Sequence, residues 1–107
     1  MCYNLYRKNE MIEYNLDRRK LLRRGFNEVG GNRQGTFSYI IPFSNVWFTL
    51  FVNAHEMYGT ISRGYGHTTY NFEDWKEELQ LHDERVFNQL MMFLDVLRED
   101  CTIEKIC

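Results

Sequence analysis

Histidine, cysteine and paired carboxylates carry most metal and acid–base chemistry at neutral pH, and this chain has few of them in useful spacing. Its three histidines are His55, His67 and His82. None has a second ligand three or four residues away on a helical pattern, and His55-Glu56 is not followed by the second histidine of a zinc-peptidase motif. No metal, no cofactor and no catalytic residue is therefore expected. Cys2, Cys101 and Cys107 form no Cys-x-x-Cys pair and have no base beside them in sequence. A Cys2–Cys101 or Cys2–Cys107 bridge stays open, depending on whether the ends of the chain meet. Ser38 and Ser62 lack the strained elbow of a hydrolase nucleophile. Glu56, Arg63 and His67 are the remaining acid–base candidates, and an enzyme reading requires the fold to gather them in one deep pocket.

Three other groups of residues suit recognition. Arg18, Arg19, Lys20, Arg23 and Arg24 place five cations in seven positions. Arginine offers a planar fork of donors, so Arg18, Arg19, Arg23 and Arg24 form a candidate strip for phosphate or carboxylate. The plainer reading is a solvated face whose arginines pair with the acidic C-terminal half. Ile40, Trp47, Phe51 and Tyr58 form a candidate apolar patch. Glu73, Asp74, Glu77 and Glu78 form a candidate acidic surface. The glycines add no phosphate cradle. Gly30-Gly31-Asn32-Arg33-Gln34-Gly35 lacks Gly-Lys-Ser/Thr, and Gly64-Tyr65-Gly66 lacks the third glycine and the strand–helix setting of a dinucleotide fingerprint.

The elements that position these residues centre on Phe37–Phe72. Alternate residues Phe37, Tyr39, Ile41 and Phe43 are all large and apolar, and Val46, Phe48, Leu50 and Val52 repeat the pattern. Ser44-Asn45 suits a tight turn between them. Pairing Phe43 with Val46 sets Ile41 against Phe48, Tyr39 against Leu50 and Phe37 against Val52, all on one face. A slip by one residue would move that whole set to the other face, so the register is well specified. A third strand over 57–63 adds Met57 and Ile61. A fourth over 67–72 offers Tyr70 and Phe72. Pro42 has no N–H to donate, which suits an edge position for the first strand. The opposite face carries Ser38, Ile40, Trp47, Thr49, Phe51, Tyr58, Thr60 and Ser62, more apolar than a solvated sheet face usually is. Either the N-terminal helix or a loop covers it, or it is a docking surface for another chain.

Helices are expected on both sides of this meander. Leu22, Phe26 and Val29 follow a helical period, which predicts a helix over 12–29, capped by Asn15 or Asp17 and stopped by Gly30-Gly31. Gly25 weakens its interior, so that helix contracts towards 17–27. Asn71 caps a helix over 72–81 with Trp75 and Leu79 inward. A longer helix over 83–99 carries Val86, Leu90, Phe93, Leu94 and Leu97, broadened by Phe87, Met91 and Met92, a stripe wide enough for burial on two sides. Residues 1–10 read as a short strand or ordered arm, and 101–107 as a short strand or frayed tail.

Length and composition bound what these elements make. At 107 residues the chain is read as one α+β domain, an antiparallel meander of three to four strands flanked by helices. Residues 34–55 contain no Asp, Glu, Lys or Arg, but Pro42, Ser44-Asn45, Asn53 and the two-residue alternation argue against a membrane span. The first ten residues lack the apolar core of a secretory signal, and an odd number of thiols fits a reduced, cytoplasmic setting. The net charge of −2 is unevenly spread. Residues 1–36 hold eight Lys/Arg against four Asp/Glu, and residues 37–107 hold five against eleven.

The expected function is a non-catalytic protein-binding module, an inhibitor or adaptor acting by surface complementarity. In style, without any match of residues, such compact, motif-free chains resemble phage anti-defence inhibitors. Its expected partner is a protein, with a homodimer open. The alternatives are single-stranded nucleic-acid binding through the arginine strip and the aromatic sheet face, and an enzyme with an unrecognised site.

Overall fold

The computed structural model describes residues 13–30 and 35–106. The expectations for residues 1–12, for the 31–34 loop, and for Cys2 and Cys107 lie outside the described residues. Along the chain the elements are β1 (Tyr14–Leu16), α1 (Arg18–Arg23), β2 (Asn27–Glu28), β3 (Phe37–Pro42), β4 (Trp47–Val52), β5 (Met57–Arg63), β6 (Gly66–Asn71), α2 (Phe72–His82), α3 (Glu84–Glu99) and β7 (Ile103–Lys105). They make an α+β fold. A five-stranded antiparallel sheet runs in the order β2-β3-β4-β5-β6, and β1 and β7 form a separate two-stranded pair.

The central register is the one the alternation dictates. Phe37 faces Val52, Tyr39 faces Leu50 and Ile41 faces Phe48, and the Phe43 N–H donates to Val46 O at 2.9 Å. Phe48, Leu50 and Val52 are fully buried beneath the helices. Each contributes about 1.5–3 kcal/mol relative to exposure, which is what holds the register. β5 continues the buried face with Met57, Gly59 and Ile61 opposite Val52, Leu50 and Phe48. Gly59 leaves a notch there, and Trp75 of α2 fills it: a Cβ on Gly59 would lie 2.3 Å from the indole ring. The Trp75 Nε1–H donates to the carbonyl of Thr60 at 3.1 Å, so its one polar atom is satisfied inside the core.

Three expectations change in the structure. The N-terminal helix does not span 12–29. Tyr14–Leu16 pair with β7 instead, and Asp17 caps a helix of six residues by accepting from Lys20 N–H. Gly25 ends that helix in the left-handed region at φ 98°. The Gly25 N–H donates to Leu22 O and the Phe26 N–H to Leu21 O, closing the helix end. The chain then swings out and Phe26 enters the core against Tyr39, with ring centroids 5.1 Å apart. Leu22 is consequently 39% exposed while Leu21 is sealed.

Second, β3 is not the outermost strand, because β2 pairs beyond it. That pairing involves only Phe37 and Ser38, however, so among the described residues no strand pairs β3 on that side from Ile40 to Pro42. Third, the last sheet strand ends at Asn71, and Phe72 opens α2. Asn71 accepts from Asp74 N–H and turns the chain into the helix. Of the two readings of the tail, the short strand holds: β7 pairs with β1 and ties the two ends of the described chain together.

α2 lies over β5 and β6 and packs sideways on α3. Asp83 both closes α2 and caps α3 through Val86 N–H. The wide stripe on α3 divides as its width implies. Leu90 and Leu97 are buried; Val86, Phe87, Met91, Phe93 and Leu94 pack at the core margin. Met92 is left 69% exposed.

Candidate binding face

Both helices after the sheet lie on one side of it. Cross-strand pairing then assembles the other side in three rows. The first row is Ser38, Phe51, Tyr58 and Asn71; the second is Ile40, Thr49, Thr60 and Thr69; the third is Pro42, Trp47, Ser62 and His67. Apart from His67 no residue of these rows is ionisable near neutral pH. All of these residues except Pro42 and Trp47 line a shallow concavity of about 780 Å³, with Glu56 at its rim. Among the described residues no helix crosses it.

Within this face Phe51 and Tyr58 stack with ring centroids 5.0 Å apart and planes 9° off parallel. That cross-strand pair builds a rigid aromatic platform. In the next two rows Ile40 is 43% exposed and Trp47 52% exposed. The hydroxyls of Ser38, Thr49, Thr60, Ser62 and Thr69 lie between the apolar groups. The four residues singled out from the sequence therefore share one surface. The contribution of β6 was missed there: His67, Thr69 and Asn71 extend the face by a full strand. Their alternation with Tyr70 was the available signal.

The acidic candidates lie on α2, on the other side of the sheet. Only the first turn reaches the rim. Glu73 and Asp74 join His55, Glu56 and Asn71 around a groove at the corner where β6 becomes α2. Glu73 pairs with Lys76 at 3.0 Å, and Asp74 accepts from the Asn71 side chain. Glu77 and Glu78 lie a turn further on and make no ion pair among the described residues.

The arginine strip divides. Arg18 pairs with Glu28 at 2.7 Å. Arg24 pairs with Asp100, whose backbone carbonyl also accepts from Lys20 Nζ at 2.6 Å. Arg19 and Arg23 are exposed and make no ion pair among the described residues. α1 buries Leu21 in the core beneath the sheet and pairs with the C-terminal end of α3. The cations and the aromatic platform consequently lie on different surfaces.

The acid–base candidates are not gathered. His67 and Glu56 sit towards opposite ends of the concavity, and Arg63 is exposed at the hairpin tip on the helix side of the sheet. His82 packs its ring against Phe43, 4.4 Å between centroids, at the end of α2. Cys101 is an exposed free thiol. Among the described residues no three His, Cys, Asp or Glu side chains converge as metal ligands, and no helix is long and apolar enough to cross a membrane.

No protein-family model matches the chain, and comparisons with curated proteins and with solved structures return no match.

Proposed function

We propose that the chain is a small non-catalytic protein-binding module, an inhibitor or adaptor of the phage anti-defence kind, which docks on a cytoplasmic partner through the open face of its sheet. One observation carries this reading: Trp47, Ile40 and the stacked Phe51–Tyr58 pair lie on one face of the sheet that no described helix covers. Exposed aromatic groups on a preformed sheet lose little conformational freedom on binding, and buried Trp and Tyr anchors dominate interface energetics. Glu56, Glu73 and Asp74 at the rim would add electrostatic selectivity for a partner with a basic groove. Nucleic acid is the weaker reading, because a phosphate backbone lying on the platform would meet no cation there among the described residues.

The test starts by identifying what wild-type protein retains from host-cell extract and the Trp47→Lys variant does not. The purified partner is then titrated with both. Trp47→Lys should weaken binding at least tenfold while the melting temperature stays within a few degrees. A partner held equally well by both forms, or no partner that distinguishes them, would remove the face from consideration. Retention of a labelled single-stranded oligonucleotide at low salt, lost in Arg19→Gln/Arg23→Gln, would move the assignment to nucleic acid.

A further inference from the structure

The two edges of the five-stranded sheet differ in charge and in backbone. At one edge lies β6. The Gly64-Tyr65 hairpin pairs Arg63 with Gly66. Alternation along the antiparallel ladder then turns the N–H and C=O groups of His67 and Thr69 outward. Gly66–Asn71 contains no proline and no Asp, Glu, Lys or Arg, and it is exposed along most of its length. Natural sheets usually blunt such an edge with proline, charge or a bulge. Over this edge lies α2 with Asp74, Glu77 and Glu78, none of which has an ion-pair partner among the described residues. At the other edge lies β2, only two residues long, led in by α1. There Arg19 and Arg23 have no ion-pair partner among the described residues.

We propose that the chain associates with a second copy of itself head to tail, the β6–α2 edge of one copy against the α1–β2 edge of the next. Like edges do not satisfy the charges. Two β6–α2 edges would bring two sets of carboxylates together, and two α1–β2 edges would oppose arginines. Unlike edges pair the carboxylates of α2 with Arg19 and Arg23, and give the outward amides of β6 a strand to meet. Because β2 is short, charge carries more of this contact than the backbone ladder does. The association is therefore weak, salt-sensitive and heterologous, so it extends from copy to copy instead of stopping at a symmetric dimer. It uses neither Trp47 nor the open sheet face, and it stands independently of the proposed function.

Sedimentation velocity on the full chain tests this across a concentration series at low salt and at about 0.5 M salt, where exposed charges are screened beyond a few ångströms. Wild-type mass should rise with concentration at low salt and fall to the monomer at high salt. Arg19→Gln/Arg23→Gln and Glu77→Gln/Glu78→Gln, each checked for an unchanged circular-dichroism melt, should each be monomeric alone. Mixed in equal amounts they should form a 1:1 heterodimer and go no further, because each keeps one competent edge. Three results would overturn the proposal: a wild-type monomer at every concentration, a mixture that stays monomeric, or an association that persists in high salt and is abolished by Trp47→Lys.

Discussion

Trp75 is fully buried, fills the notch above Gly59 and donates its indole N–H to Thr60. Trp47, one face away, leaves half its surface in solvent. The two positions should therefore respond very differently to substitution. Gly59→Ala puts a methyl group into the indole and forces strand or helix to move, at about 1–3 kcal/mol or more. Trp47→Ala removes contacts that are only half formed and should cost under about 1 kcal/mol. Urea denaturation ranks the two directly, and a Trp47→Ala loss equal to that of Gly59→Ala would make Trp47 a core residue. The sequence placed Trp75 inward from its spacing with Leu79. It gave no hint of Gly59, because a notch is defined by what enters it from 16 residues away.

At the scale of elements, both α1 and α3 end in the same left-handed closure, one with a suitable residue and one without. Gly25 supplies φ 98° to α1 at little cost. Cys101 supplies φ 62° to α3, where the Thr102 N–H donates to Leu97 O and the Cys101 N–H to Arg98 O. A side chain in that region is strained, so Cys101→Gly should raise stability by about 0.5–1 kcal/mol. A thermal melt checks it, and an unchanged or lower midpoint would mean that the Cys101 side chain compensates locally. Gly25 shows where reading by period falls short. Leu22, Phe26 and Val29 keep helical spacing across a glycine that ends the helix, and the same spacing arises by chance when a capped turn delivers Phe26 to the core.

Across the whole molecule, Asp100 joins parts of the chain far apart in sequence. Its carboxylate accepts from the Thr102 hydroxyl and N–H and from Arg24, and its carbonyl accepts from Lys20. The Thr102 hydroxyl, with Arg24 beside it, lowers its pKa from the ordinary 3.8 to about 2. A carboxyl whose folded pKa is depressed adds stability above its unfolded pKa and loses it as the pH falls through the folded one. That contribution is thus complete above about pH 4 and fades between 4 and 2. Asp100→Asn should lower the melting temperature at pH 7 and flatten the acid side of the stability profile. A variant profile parallel to the wild type from pH 7 to 2 would show that another carboxylate dominates acid unfolding.

The sequence by itself determined the sheet register, the inward faces of α2 and α3, and the aromatic composition of the opposite sheet face, because each follows from local alternation or helical period under burial. The tertiary structure alone decided that α1 stops at Arg23, that β2 extends the sheet, that β7 closes on β1, and that the acidic and basic groups lie at opposite edges. Those outcomes depend on contacts between segments distant along the chain, where capping geometry and competition for one core override local periodicity.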